Sequence, residues 1–171
     1  MLVSAARALQ DRLPSAGPGA RRILALGVIL LAGGGSSVMA LPPDSLRITL
    51  TVPATARAGD AVPMTIRITN VADHPITLSL VGREIAFDLV VAGEGGKVVW
   101  RRLAHAAIQG ILQLKTLQPG ESLELGHLWN QQTDAGVPVA PAVYHVLGEV
   151  PTEVPQQPLR TPVRFVRIRP R

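Results

Sequence analysis

The 171-residue chain contains no cysteine. Disulfides, thiolate metal sites, iron–sulfur clusters, cysteine nucleophiles and lipoprotein attachment are all excluded by that absence. Aromatics are nearly as scarce. Phe87, Trp100, Trp129, Tyr144 and Phe165 are the whole set, so a core must be built mainly from Val, Leu and Ile. No amphipathic helical period runs through residues 41–171, and no repeat or heptad is visible. Gly-x-Ser-x-Gly and Ser-x-x-Lys are both missing, which removes the common signatures of a serine nucleophile. His74, His105, His127 and His145 stand at separations that match no ligand pair on one element. They are read as structural, with no metal and no cofactor expected. His127 shares a strand face with Leu125 and Trp129 and is read as a hydrogen-bonded core residue.

The net charge of +5 is not a property of the body of the chain. Four Arg and one acid lie in residues 1–40, and five Arg with no acid lie in residues 160–171. Residues 41–159 carry eight Lys or Arg against eleven Asp or Glu, a net −3. A nucleic-acid binder carries its basic charge as a patch on the folded body. Here it sits at the ends, so no nucleic-acid partner is expected, and the Arg-rich tail is read as a solvated last strand.

Residues 1–40 form the first segment. Arg21-Arg22 precede an apolar run, Ile23 to Ala32, followed by small residues ending Val38-Met39-Ala40. This is the tripartite pattern of an export signal, and it predicts cleavage at Leu41 and a secreted or periplasmic domain. An uncleaved membrane anchor is the alternative, because residues 23–43 are uncharged for 21 positions.

Residues 41–171 are read as one β domain. Leu46 to Val52 alternates apolar and polar residues strictly, as do Val62 to Thr69 and Leu112 to Leu117, the period of a half-buried strand. Further short runs stand at 76–80, 85–91, 97–101, 123–129, 144–150 and 163–168. They are separated by turn clusters such as Gly93 to Gly96 and Pro119-Gly120. Eight or nine strands of this kind predict an all-β, antiparallel sandwich. The Gly93-Glu94-Gly95-Gly96 cluster opens a strand and not a helix, so it is turn chemistry and not a phosphate loop. Glu121 and Glu124 are read as the polar face of a strand.

Six segments, in order, carry a family resemblance. They are Ile66-Arg67-Ile68-Thr69-Asn70, Ile85 to Val91, Gly96-Lys97-Val98-Val99-Trp100-Arg101, Leu117 to Ser122, Trp129, and Gly136-Val137-Pro138-Val139 to Tyr144. Together they resemble the BsuPI-type proteinase inhibitors, from about Leu46 to Val150. The resemblance departs at Pro141-Ala142-Val143-Tyr144, which lacks the usual turn glycine, and around Ile108 to Leu112, where a Phe is expected. It implies an immunoglobulin-like sandwich, a non-enzymatic role and inhibition of a serine protease, subtilisin-like in type. Inhibition of that kind docks a rigid loop in the protease cleft as an extended strand. Two loops qualify. The first choice spans Asn130 to Pro141, with Asn130, Gln131, Thr133, Asp134, Gly136, Val137, Pro138 and Pro141 as contacts. The second spans Arg101 to Gln109, where Arg101 and Arg102 would enter an acidic specificity pocket. The alternative function is an extracytoplasmic binding, adhesion or accessory module for an unknown protein or cell-envelope ligand.

Overall fold

A computed structural model describes residues 45–154 and 157–171. The signal or anchor expected at residues 1–40 lies outside the described residues. The described chain forms twelve strands. These are β1 (Leu46–Thr51), β2 (Thr55–Arg57), β3 (Val62–Asn70), β4 (Ile76–Val81), β5 (Asp88–Ala92), β6 (Val98–Arg101) and β7 (Leu112–Leu117). After them come β8 (Ser122–Trp129), β9 (Val143–Val150), β10 (Thr152–Val154), β11 (Leu159–Arg160) and β12 (Arg164–Arg169). Nine match the expected runs; β2, β10 and β11 are additional, each of three residues or fewer. The fifth strand starts at Asp88 and not at Ile85. Gly82, at φ 100°, turns the chain there, and Ala86 N–H closes the turn on Val81 O at 2.8 Å.

The strands form three sheets, ordered β1-β3-β8, β10-β4-β7 and β2-β12-β9-β5-β6, with β11 added on β9. Every pairing is antiparallel except β12 with β2. The first two sheets share a bent ribbon. Chain leaving β3 turns into β4 at Asn70, and chain leaving β7 turns into β8 at Pro119-Gly120. Asn70 fixes the bend from a fully buried position. Its amide donates to His74 O at 2.8 Å and Leu117 O at 2.9 Å, while its Oδ1 accepts from Ala72 N–H at 2.9 Å. A buried amide with every strong group paired specifies a bend without leaving an uncompensated polar atom.

The third sheet packs on this ribbon to make a β-sandwich. Ile66 and Ile68 from β3, Leu78 and Leu80 from β4, Leu89 and Val91 from β5, Val146 from β9 and Val166 from β12 are all fully buried. Gly148 shows how close the layers run. A Cβ there would stand 2.7 Å from the Ile66 side chain, so glycine is needed for contact distance. Burial of such side chains contributes about 1.5–3 kcal/mol each, and it selects the alternating register of β3, in which every second residue is inside.

Candidate functional site

The two loops singled out from sequence meet at one end of the sandwich, and Asp134 joins them. Its Oδ1 accepts the Arg101 N–H at 2.8 Å, its own N–H donates to Val99 O at 3.0 Å, and its carbonyl lies 3.2 Å from His105 Nε2. The 130–141 loop thereby pairs with the outer edge of β6. An open cleft of about 460 Å³ runs between the loops, lined by Trp100, Arg102, His105, Gln132, Thr133 and Gly136 among others.

The 130–141 loop is a closed hairpin and not a single extended strand. Thr133 N–H donates to Val137 O at 2.8 Å, Gly136 N–H to Thr133 O at 2.9 Å, and Val139 N–H to Gln131 O at 2.9 Å. Val137 N–H reaches the Thr133 hydroxyl at 3.2 Å, and Gln132 bridges Pro138. Gly136 takes φ 75°, which permits the tight return. With these groups paired internally, little backbone is left on the inner edge for a substrate-like docking strand.

Three side chains root the hairpin. Trp129 is buried and its indole N–H donates to Gln132 O at 2.9 Å. Tyr144 is buried and donates its hydroxyl to Ala140 O at 2.7 Å, and burial raises the pKa of that hydroxyl. Gln131 is the third. It lies only 3% exposed, its Oε1 accepting from Gly59 N–H at 3.0 Å and its Nε2 donating to Arg57 O and Asp60 O, each at 2.7 Å. Expected as a contact, Gln131 is turned inward as an anchor. Asn130, Asp134, Gly136, Val137, Pro138 and Pro141 are exposed and Thr133 is half-buried.

Arg101 and Arg102 are not poised to enter a specificity pocket. Arg101 grips Asp88, Nε at 2.8 Å and Nη2 at 2.7 Å, with Glu149 3.8 Å away. Asp88 is buried and would lose this partner if Arg101 swung out. Arg102 lies over the Phe87 ring at 3.8 Å and donates to Phe87 O at 2.7 Å. Partial burial lowers its pKa, opposed by the charges of Asp88 and Glu84. Sequence spacing identified both residues as basic and near a loop but carried no sign of their acidic and aromatic partners.

Trp100, Trp129 and Tyr144 form a continuous stack under the loops. Trp100 and Trp129 centroids are 6.1 Å apart, and Tyr144 meets Trp129 edge-on at 5.7 Å. Trp100 is half-buried, its other face covered by His127 at 5.6 Å and 15°. His127 is therefore an exposed residue stacked on an indole, not a core residue. Burial against Trp100, and then the nearby Arg102 charge, lower its pKa. Strand parity placed it correctly, but β8 is at a sheet edge, where an inward side chain still meets solvent. Among the described residues no group of three or more His, Asp or Glu could hold a metal ion.

A family model described as BsuPI, intracellular proteinase inhibitor, matches residues 49–153. The chain belongs to the BsuPI family. An inhibitor family indicates a protease partner and a non-catalytic role. Its description as intracellular overturns the expectation of a secreted or periplasmic domain. That expectation rested on residues 1–40 alone, where a ten-residue apolar run beside Arg is too short a pattern to identify an export signal uniquely. Among the described residues no helix is long and apolar enough to cross a membrane. No curated protein matches the chain significantly.

Solved structures resemble it distantly. A β-glucosidase from Listeria innocua is 11% identical, with 72% of this chain and 16% of that chain covered and a TM-score of 0.41. The alkylpurine DNA glycosylase AlkC of Pseudomonas fluorescens is 12% identical over 73% of this chain and 30% of that chain, TM-score 0.41. The CARDB domain of the PF1109 protein from Pyrococcus furiosus is 13% identical over 72% and 91%, TM-score 0.40. The chain thus spans about a sixth of the β-glucosidase's length.

Proposed function

We propose that this BsuPI domain inhibits a serine protease of the subtilisin-like type by inserting the 130–141 hairpin into its cleft. The observation that supports this most is the anchoring of that hairpin. An exposed tip closed by its own hydrogen bonds, and rooted on buried Trp129, Gln131 and Tyr144, loses little conformational entropy on docking. Asn130, Thr133, Asp134, Gly136, Val137, Pro138 and Pro141 are the contact residues in this reading, with the 101–109 loop as a lateral support held through Asp134. Val137, 57% exposed beside Pro138, offers an apolar side chain. With Arg101 and Arg102 engaged elsewhere, an enzyme with an apolar specificity pocket fits better than one with an acidic pocket. We read the sandwich beneath as immunoglobulin-like on its two facing antiparallel layers.

The test is a titration of the full chain against subtilisin and trypsin. Subtilisin should be slowed stoichiometrically and trypsin much less. Val137→Asp should weaken inhibition by about 30-fold, the effect of a central contact worth about 2 kcal/mol, with the melting temperature unchanged. Equal activity of both enzymes in tenfold excess of the chain would sink the inhibitor reading. Inhibition that survives replacement of the hairpin tip by a Gly-Ser turn would sink the choice of loop.

A further inference from the structure

The last strand of the second sheet, β7, has one edge on β4 and, among the described residues, no strand on the other. Two of the other sheet edges carry a partner. Asp134 caps the outer edge of β6, and the Arg164 side chain covers Leu50 O of β1 at 3.2 Å. β7 has no proline, its register with β4 is unbroken, and its one charge, Lys115, is drawn aside to Glu121 at 3.2 Å. Leu114 projects from it 76% exposed and Leu112 48% exposed, with Ile108 and Ile111 exposed just before it.

The hydrogen-bond parity of β7 is fixed by its partner. Gly82 N–H donates to Ile111 O at 2.7 Å, one step beyond the Val81–Leu112 pair. Bonded pairs alternate along an antiparallel ladder, so Gln113, Lys115 and Leu117 bond β4. Leu112, Leu114 and Thr116 direct their N–H and C=O groups to the open edge. These are also the positions whose side chains are exposed.

We infer that β7 pairs antiparallel with β7 of a second copy of this chain, about a two-fold axis at Leu114. That register makes Leu114 a bonded pair with itself and Leu112 a bonded pair with Thr116 of the second copy, so every outward backbone group of the strand is used. It sets Leu114 against Leu114 on the exposed face. On the other face Gln113 meets Lys115 of the second copy, so the two lysines are not opposed, whereas an axis at Lys115 would oppose them. A self-complementary strand of this kind is what an isologous two-fold interface requires, and it points to a second copy over an unrelated extended peptide. The two three-stranded sheets become one of six.

The absence of cysteine makes the geometry directly testable. At a bonded antiparallel pair the Cα atoms lie about 5.5 Å apart, within the range a disulfide spans. Leu114→Cys in the full chain should therefore cross-link to itself under mild oxidation. It should do so about tenfold or more faster than Leu128→Cys, a control on β8 with 58% exposure, because the paired thiols react within the dimer. Sedimentation equilibrium of the wild type should show a monomer–dimer equilibrium. Leu114→Lys, which puts two ammonium groups together at the axis, should be monomeric, with the melting temperature that wild type shows at concentrations where its dimer is dissociated. A wild type that stays monomeric across the concentration series overturns the proposal, as does a dimer that persists in Leu114→Lys. Equal cross-linking rates for the two cysteine variants would also overturn it.

Discussion

Gln131 carries a left-handed backbone, φ 55°, and is the single residue other than glycine to do so among those described. That conformation costs an L-residue about 1–2 kcal/mol, and here three side-chain hydrogen bonds to Arg57, Gly59 and Asp60 offset it. Gln131→Leu keeps the strain and takes the partner from Gly59 N–H and Asp60 O, while Arg57 O keeps the Asp60 N–H at 3.1 Å. It should lower unfolding free energy by about 2–4 kcal/mol in urea. Gln131→Gly strands the same groups but removes the strain, so its loss should be about 1 kcal/mol smaller. A Gln131→Leu variant as stable as the wild type would show that the contacts with residues 57–60 do not hold the hairpin. Nothing local in the sequence marks Gln131 as an anchor, because its partners lie some 70 residues away and Gln-Gln-Thr-Asp reads as a polar loop. The scarce aromatics were more legible: beside turn signals, Trp100, Trp129 and Tyr144 are all expected as core anchors, which Trp129 and Tyr144 are, whereas Trp100 is only half-buried. Arg101 and Arg102 were not legible, because basic side chains at a loop edge look alike until an acid or a ring is found beside them.

At the scale of elements, the turn between β7 and β8 depends on Glu121. Its carboxylate accepts Gln118 N–H at 2.9 Å and faces Lys115 Nζ at 3.2 Å, while Gly120 at φ 78° completes the turn. The backbone hydrogen bond from Gln118, and then the one from Lys115, hold this carboxyl below its ordinary value of 4.5. A group with a lowered folded pKa binds protons more readily when unfolded. Its stabilisation is therefore complete above the ordinary carboxylate range and is lost as pH falls through the folded value. Glu121→Gln should accordingly be less stable than wild type at neutral pH, and the gap should close as pH is lowered through and below 4.5. Thermal melts of both proteins across that range measure it, and a gap that is constant with pH would contradict this role. The alternating pattern located β1, β3, β7 and most other strands, because period-two burial is a local property. It misread Glu121 as a strand face: a carboxylate capping its own turn and one pairing across strands, as Glu124 does with Arg67, have the same sequence appearance.

Taken as a whole, the folding unit is larger than the region by which the family is recognised. The family match ends at residue 153, yet β12 lies inside the third sheet, between β2 and β9. Pairings such as Arg167 with Thr55 join segments more than a hundred residues apart, and no local period announces them. Sequence could supply the last strand but not its neighbours. Leu159, Val166 and Ile168 are buried, and Thr161 is locked to β9, its hydroxyl accepting Gly148 N–H at 2.9 Å and its own N–H donating to Gly148 O at 3.0 Å. At about 1.5–3 kcal/mol for each buried side chain, the three apolar residues alone contribute about 5–9 kcal/mol. That is comparable to the whole stability of an ordinary domain, about 5–15 kcal/mol. A chain ended after Val154 keeps the family-matched segment but leaves β2 without a partner and one edge of β9 unpaired over Tyr144 and Val146. It should therefore lose its cooperative urea transition, followed by circular dichroism and by Trp129 emission. A chain keeping residues to Arg169 should retain the transition. If the shorter chain unfolds cooperatively at the wild-type midpoint, β12 is an appendage, and the core of this fold closes without it.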